Sequence, residues 1–417
     1  MALEYQKSEK NVESHNPSDS EPSIVKIGVL GSGLMGHGIA CVSALSGIEV
    51  ILVDTTREKA EIGFSKIKQI LQKRVDKKTL TEEDFKTALS LIATTSNYGD
   101  LSSCELIVEA VFENTDLKKE VIIQAESVMS TDTIFASNTS TIPITDLAKN
   151  SARPDQFIGL HFFSPVDKMR LVEIINGKKT SKRTLSIAYN YVLSIKKTPI
   201  IVNDGRGFYT TRVFERYTCE GMALLDEGVP PQRIEEIGKK AGYPIGPLAI
   251  LDEITISLAY HIRGQVRAPS ASKTESWDRV MKIMISDLNR TGKSNSGGFY
   301  EYPKDAKKYL WPQLKNYFPV SKEKLDEQEI IDRFYFSQVI ETIRCFEERI
   351  ITSVSDANIG SILGWGFPIQ KGGTLQFVND YGLLPFQKRA QELEDKYGSR
   401  FRTPKLLEKM IKNNSTF

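Results

Sequence analysis

Three glycines near the start of the chain have the spacing of a phosphate-binding turn. The apolar run Ile24–Leu30 leads directly into Gly31, Gly33 and Gly36, and helical spacing follows at once. Glycine permits a tight turn at the first position, close approach of a pyrophosphate at the second, and close packing of helix on strand at the third. The N-terminus of that helix would present free N–H groups to the phosphates. The pattern predicts dinucleotide binding, and the alternative is a glycine-rich turn without a ligand.

An acidic residue follows at the distance expected for contact with a ribose. A second apolar strand, Glu49–Val53, ends at Asp54, 18 residues after Gly36. A carboxylate at that place accepts hydrogen bonds from a ribose diol and repels a 2′-phosphate. The sequence therefore predicts NAD, in preference to NADP, as the cofactor.

His161 is the best-placed candidate for a catalytic base. Oxidation of an alcohol by a nicotinamide needs a group that takes the hydroxyl proton, and imidazole suits neutral pH. His161 lies near the end of the predicted strand Phe157–Phe163, and ligands of open α/β sheets bind at the carboxyl ends of strands. Of the other histidines, His15 lies in a polar tail, His37 is expected to face solvent, and His261 lies in a helical segment.

Glu173 is the expected partner of His161. The run Arg170–Ile175 is a predicted strand that would pair antiparallel with the preceding strand across a turn centred near Asp167. His161 and Glu173 would then face each other, and the carboxylate would fix the imidazole tautomer and stabilise the imidazolium. A charged residue in an otherwise apolar strand needs such a partner. The alternative is an exposed edge-strand glutamate beside a structural histidine.

Two polar segments allow more than one interpretation. The loop Ser137–Ser140 (SNTS) can hydrogen-bond a substrate oxygen or a ribose, or it can be an ordinary loop and helix cap. The basic run Gln72–Lys78 can meet a phosphorylated substrate tail or form a solvated helix face. Its cationic residues are Lys73, Arg74, Lys77 and Lys78.

The rest of the chain divides into an alternating part and a helical part. Up to about Gly205, strands alternate with helices, and the near-continuous apolar run Leu106–Phe112 is typical of a buried parallel strand. Beyond Gly205 the strand signals stop and the pattern becomes helical. We therefore predict an α/β protein with a Rossmann-type doubly wound sheet, followed by a mainly α-helical C-terminal region of two related lobes.

The two lobes are predicted from a loose internal repeat. Cys219–Asp252 contains CEGMALLDEG and then GYPIGP, and Arg344–Asp380 contains RCFEERI and then GFPIQKGG. Such a repeat suggests an internal pseudo-dimer. The stretch SNSGGFYEYP at Ser294–Pro303 is expected to be a terminator and linker. The expected domains are a disordered tail (1–22), an NAD-binding domain (23–204), a first helical lobe (205–302) and a second helical lobe (303–417).

Composition and charge argue against several other classes of protein. The net charge of +2 over 417 residues gives no large basic face for nucleic acid. No apolar run reaches the roughly 18 residues of a membrane helix. The four cysteines are far apart and form no CxxC, so we expect reduced thiols in a cytoplasmic protein without disulfides or a metal. The acidic first 22 residues fit neither a secretory signal nor an Arg-rich transit peptide.

Together these segments resemble the L-3-hydroxyacyl-CoA dehydrogenase family. The resemblance covers nearly all of the chain after the tail, and its carriers are GSGLMGHGIA, LIVEAVFEN, TIFASNTSTIPIT, IGLHFFSPVDKMRLVEII and DGRGFYTTR. The SPVDKM and GFYTTR versions, with GWGFPIQKGG and YGSRF in the second lobe, resemble the dehydrogenase half of the multifunctional fatty-acid β-oxidation enzyme. The enoyl-CoA hydratase domain that usually precedes that half is expected to be missing, because the first strand starts at Ile24.

The resemblance implies a role for individual residues. His161 falls on the catalytic histidine, Glu173 on its partner, and Ser140 on the serine near the substrate hydroxyl and the nicotinamide. Positions implied to contact the cofactor, besides the three glycines and Ser140, are Met35, Asp54, Glu113, Lys118 and Ser164. Ser164 and Thr211 stand where the short single-function enzymes have Asn. Thr211 is an implied substrate-binding residue, and both departures leave the acyl chain length open.

The implied reaction is the NAD-dependent oxidation of an L-3-hydroxyacyl-CoA to the 3-ketoacyl-CoA in fatty-acid β-oxidation. The acyl-CoA would enter between the sheet domain and the helical lobes. The alternatives are a dehydrogenase of a small hydroxy acid without CoA, and a non-catalytic NAD-binding subunit. The implied protein partner is an enoyl-CoA hydratase or a thiolase, and the internal pseudo-dimer predicts a monomer.

Overall fold

The computed structural model describes residues 23–266, 276–295 and 297–417. The expected tail, with His15, lies outside the described residues. Among the helices of the described ranges, none is both long and apolar enough to span a membrane.

One eight-stranded sheet forms the N-terminal half of the molecule. Its strands are β1 (Lys26–Leu30), β2 (Glu49–Val53), β3 (Ile92–Thr95), β4 (Leu106–Glu109), β5 (Ile134–Ser137), β6 (Phe157–Phe162), β7 (Leu171–Asn176) and β8 (Thr198–Asn203). They lie in the order β3-β2-β1-β4-β5-β6-β7-β8. Strands β1 to β6 are parallel, β7 is antiparallel to β6, and β8 is parallel to β7. The order reverses between β1 and β4, which is where doubly wound sheets bind their ligands.

Helices cover both faces of the sheet. They are α1 (Leu34–Ala44), α2 (Arg57–Asp76), α3 (Glu82–Ser90), α4 (Thr115–Glu126), α5 (Ile144–Leu147) and α6 (Lys182–Ser194). The sequence fixes several of their starts, because the side chains of Thr56, Asn114 and Ser181 each accept a hydrogen bond from a backbone N–H of the first turn. The predicted α/β domain is confirmed.

The C-terminal half is mainly helical, as its periodicity predicts. Its helices are α7 (Thr210–Asp226), α8 (Pro231–Lys240), α9 (Pro247–Ile254), α10 (Ile256–Val266), α11 (Ser276–Lys282), α12 (Leu314–Tyr317), α13 (Glu327–Glu347), α14 (Val354–Trp365), α15 (Thr374–Tyr381), α16 (Leu383–Tyr397) and α17 (Lys405–Lys412). One apolar core runs from a face of the sheet into these helices, and a second core fills the opposite face.

Part of the segment Ser294–Pro303, which is predicted to be a linker, packs into the core. Strand β9 (Tyr300–Glu301) pairs antiparallel with β10 (Tyr309–Leu310), so a short hairpin crosses the expected border at 302/303. Phe299 is fully buried, and the carboxylate of Asp252 accepts hydrogen bonds from the N–H groups of Phe299 (2.9 Å) and Tyr300 (2.8 Å). Aromatic residues within this glycine- and serine-rich stretch therefore belong to the core, while the domain border at 302/303 stays a prediction.

Helices α7 and α13 pair through a repeated set of charges. Two arginines, one on each helix, each bind two glutamates of the other helix. The pairs are Arg212 with Glu341 (2.7 Å) and Glu348 (2.6 Å), and Arg333 with Glu220 (2.9 Å) and Glu227 (2.5 Å). The same offset of 121 positions separates Arg212 from Arg333, Glu220 from Glu341, and Glu227 from Glu348. Equivalent residues of the two helices thus exchange contacts, as they do across the interface of a two-fold symmetric dimer. This arrangement supports the predicted relation between the lobes.

Candidate active site

The glycine turn joins β1 to α1 as predicted. Gly31 has a positive φ of 92°, and a Cβ atom on Gly36 would lie 1.7 Å from the carbonyl oxygen of Gly31. Gly33 faces open space and begins α1 without a side-chain cap, so the first N–H groups of the helix are available to a ligand. Met35 is half-buried on the adjoining core. These features fit a pyrophosphate.

Asp54 lies directly after β2 and is tied to the glycine turn. Its Oδ2 accepts hydrogen bonds from the N–H (2.8 Å) and the hydroxyl (2.6 Å) of Ser32, and its Oδ1 accepts one from the N–H of Thr55 (2.8 Å). Partial burial opposes ionisation, but these hydrogen bonds outweigh it and lower the pKa of Asp54. An ionised acid at the end of β2 fits the ribose of NAD. Ser32 was not foreseen from the sequence.

His161 and Glu173 lie opposite each other on β6 and β7, which confirms the predicted register. The Nδ1 atom of His161 is 2.9 Å from Oε2 of Glu173. The glutamate is 0% exposed and the histidine 8%. The alternative of an exposed edge glutamate fails, because β8 continues the sheet beyond β7 and places Ile200 next to Glu173.

Two residues at the start of α7 complete the surroundings of Glu173. The N–H groups of Tyr209 and Thr210 each donate to Oε1 at 3.0 Å, and the Thr210 hydroxyl donates to Oε2 at 2.5 Å. The phenol of Tyr209 in turn donates to the carbonyl oxygen of Ala357 on α14 at 2.8 Å. These donors offset the cost of burying a carboxylate. Sequence reasoning missed both residues, although they directly precede Thr211 in GFYTTR.

Glu113 binds the SNTS loop, and three residues of the expected site, Glu113, Ser140 and Thr211, lie together here. Its Oε1 accepts hydrogen bonds from the Thr139 hydroxyl (2.5 Å) and the Ser140 N–H (3.0 Å). The Thr211 hydroxyl donates to the carbonyl oxygen of Ser140 at 3.2 Å. Burial opposes ionisation of Glu113, but Lys118 and these donors lower its pKa.

Lys118 lies beneath Glu113 rather than on the open cleft. Its side chain is fully buried, and its Nζ lies 2.7 Å from Glu109 and 3.4 Å from Glu113. Glu109 also accepts a hydrogen bond from the Ser137 hydroxyl at 2.6 Å. Lys118 is thus held by two carboxylates, of which Glu113 is the less buried. The sequence indicates that Glu109 is a buried, partnered carboxylate, since it is the one acid within the apolar run 106–112.

The remaining expected residues occupy separate places. Ser164 is exposed and precedes a cis peptide bond to Pro165. The basic residues of Gln72–Lys78 lie at the C-terminal end of α2. His261 is exposed on α10. The expectation that His37 faces solvent was wrong, since it is buried on α1, and burial lowers its pKa.

The described residues contain no group of three or more His, Cys, Asp or Glu side chains that could hold a metal ion. All four cysteines are buried and form no disulfide. The polar groups that the structure places at the carboxyl ends of the central strands are the histidine–glutamate pair, the loop around Ser140 and the glycine turn.

This combination is typical of NAD-dependent dehydrogenases, and comparison with known proteins gives the family. Residues 26–205 match the model of the 3-hydroxyacyl-CoA dehydrogenase NAD binding domain, and residues 207–302 match the C-terminal domain of the same enzyme. The chain belongs to the 3-hydroxyacyl-CoA dehydrogenase family. Over 399 residues it is 35% identical to the fatty acid oxidation complex subunit alpha of Pseudomonas aeruginosa. That match takes 93% of this chain but 55% of the relative, so the chain spans about half the length of such relatives.

Solved structures agree with this assignment. The (S)-3-hydroxybutyryl-CoA dehydrogenase of Ralstonia eutropha is 33% identical with a TM-score of 0.64, over 68% of this chain and 100% of the other. The dehydrogenase part of multifunctional enzyme 1 from C. elegans is 25% identical with a TM-score of 0.68, over 93% and 90%. The 3-hydroxybutyryl-CoA dehydrogenase of Escherichia coli K12 is 23% identical with a TM-score of 0.77, over 93% and 98%, and shows the same fold.

Proposed function

We propose that this chain oxidises L-3-hydroxyacyl-CoA to 3-ketoacyl-CoA with NAD, as part of fatty-acid β-oxidation. The observation that carries the proposal is the buried pair of His161 and Glu173, joined at 2.9 Å. His161 stands at the carboxyl end of β6, on the same edge of the sheet as the glycine turn after β1, because both strands are parallel.

The residues around the glycine turn would hold the cofactor. Gly33 and the uncapped start of α1 receive the pyrophosphate, and Asp54 receives the adenine ribose. Glu113 and Ser140 lie at the ends of the central strands, where they can orient the nicotinamide side. When bound, NAD accepts the hydride that leaves C3 of the substrate.

His161 would act as the general base. Its Nδ1 is occupied by Glu173, which leaves Nε2 to take the proton from the 3-hydroxyl group. Glu173 then stabilises the imidazolium and holds its tautomer. The Ser140 hydroxyl and Thr211, whose own hydroxyl donates to the backbone carbonyl oxygen of Ser140, would orient the substrate oxygen or the thioester.

The CoA moiety would need a cationic surface for its phosphates. The exposed end of α2, with Lys73, Lys77 and Lys78, is the candidate that the sequence singled out. A dehydrogenase of a small hydroxy acid would not need such a surface, and a non-catalytic NAD-binding subunit would not need the pair of His161 and Glu173.

A single assay distinguishes these functions. The purified protein is mixed with NADH and acetoacetyl-CoA, and the absorbance of NADH is followed. We expect rapid oxidation of NADH with acetoacetyl-CoA and little with acetoacetate. Activity with the free acid alone would favour the small-acid dehydrogenase, and no activity with either would favour the non-catalytic subunit.

We further propose that the chain is a cytoplasmic monomer that cooperates with an enoyl-CoA hydratase or a thiolase. The paired charges of α7 and α13 support the monomer, because one lobe already covers the surface through which the other would dimerise. Light scattering of the dilute full-length protein tests this proposal, and a stable dimer would contradict it.

A further inference from the structure

The Thr210 hydroxyl and the His161 imidazole share one oxygen atom of Glu173. Oε2 of the glutamate lies 2.5 Å from the hydroxyl and 2.9 Å from Nδ1 of the histidine. The other oxygen, Oε1, is taken by two backbone N–H groups. All of these groups are buried, so water does not replace a donor that is removed.

The groups that face this carboxylate from other elements are neutral or apolar. Ile200 stands beside it on β8, and the phenol of Tyr209 and the thiol of Cys345 on α13 lie within its electrostatic reach. Burial raises the pKa of both Tyr209 and Cys345 far above neutrality. Arg212, near Cys345, is held by Glu341 and Glu348. The Thr210 hydroxyl is therefore the side-chain donor that competes with His161 for the negative charge of Glu173.

We propose that Thr210 is a positioning residue that sets the pH range in which the His161–Glu173 pair works. This inference rests on the proposed function of the pair. A donor on Oε2 draws negative charge away from the imidazole, so the imidazolium is stabilised less than it would be by Glu173 alone. Thr210 thus keeps His161 in the neutral, proton-accepting form down to a lower pH.

The test is a pH profile of kcat/KM for oxidation of 3-hydroxybutyryl-CoA by NAD. Thr210→Val removes the hydroxyl and keeps the branched shape, which packs against Gly364. We expect the acidic limb of the profile to move upward by about 0.5 to 1 pH unit, less than the full effect of one hydrogen bond to a charged group, because the hydroxyl acts on the imidazole only through Glu173. Thr210→Ser keeps the hydroxyl, and its limb should stay with the wild type.

Thr218→Val is the matched control on the same helix. Thr218 is also buried, but its hydroxyl donates to the carbonyl oxygen of Glu215 within α7. Its profile should superimpose on that of the wild type. A general loss of α7 stability would instead affect Thr218→Val and Thr210→Val alike.

A second measurement does not depend on turnover. The chain has four histidines, so the imidazole nitrogen resonances of His161 can be assigned in NMR spectra by comparison with His161→Gln. We expect His161 of Thr210→Val, or of Thr210→Ala if the valine variant does not fold, to titrate at a higher pH than the wild type. An unchanged titration, or the same shift in Thr210→Ser, would overturn the inference. An inactive wild type would instead overturn the proposed function.

Discussion

In the proposed reaction, Glu173 acts on His161 from within the core. Its carboxylate touches His161 but no open surface, and its donors come from the start of α7. Removing one member of such a unit should remove most of its effect. We expect His161→Gln to lower kcat by about 10² to 10⁴, the usual size for loss of a general base, with little change in NAD affinity.

Glu173→Gln should cause a large part of the same loss, because the amide stabilises the imidazolium poorly. Steady-state kinetics and NADH fluorescence titrations measure the two effects separately. Turnover close to that of the wild type in the His161 variant would rule out the assigned role.

Asp54 is the residue that we propose selects NAD over NADP. Its lowered pKa keeps it ionised at neutral pH, and its charge would lie against a 2′-phosphate. We expect Asp54→Ser to narrow the preference for NAD over NADP, measured as the ratio of kcat/KM for the two cofactors. A wild-type protein that uses both cofactors equally would contradict this assignment.

At the level of elements, the glycines at the junction of β1 and α1 differ in how much space surrounds them. A methyl group on Gly36 would meet the backbone oxygen of Gly31 at 1.7 Å, whereas one on Gly33 meets nothing within 4 Å. We expect Gly36→Ala to lose at least about 3 kcal/mol of unfolding free energy through overpacking. Gly33→Ala should melt like the wild type and bind NADH more weakly, because its methyl group occupies the path of the pyrophosphate.

Thermal melting with and without NADH tests both variants in one experiment. Equal melting temperatures for the two alanine variants would show that the close packing of Gly36 does not limit stability.

The sequence predicted those elements whose signal is local. His161 and Glu173 lie at equal distances from the centre of the turn that joins their strands, so the register of the two strands followed from counting residues. The sequence did not predict the contact of Thr210 with Glu173, because the two residues lie 37 positions apart and only the packing of α7 on the sheet joins them. His37 was misjudged for a similar reason, since the loop that carries Val166 packs against α1 beside it.

Across the whole molecule, Glu341 makes the contact between the lobes sensitive to acid. Burial opposes its ionisation, but Arg216, Arg212 and Arg344 lower its pKa to about 2 from an ordinary value of 4.5. A depressed carboxylate pKa adds stability that is complete above pH 4.5 and is lost as the pH falls toward 2. This contribution is about 3 kcal/mol at neutral pH.

Glu341→Gln should therefore unfold more easily in urea at pH 7, by at least about 3 kcal/mol, because the arginines lose their partner. The difference from the wild type should shrink to about half by pH 3. If the difference in unfolding free energy between the wild type and Glu341→Gln stayed constant from pH 7 to pH 3, ionisation of the Glu341 carboxylate would not be the source of this stability.

The paired charges of α7 and α13 have a further consequence for how the protein responds to dilution. Both halves of this two-fold contact belong to one chain, so their association is a step of folding and has no dissociation constant. Tyr209 also joins the two lobes. Its backbone N–H binds Glu173, and its phenol donates to the carbonyl oxygen of Ala357 in the second lobe. Activity per molecule should consequently remain constant from micromolar to nanomolar protein, where an enzyme that builds this contact between separate subunits would begin to fall apart.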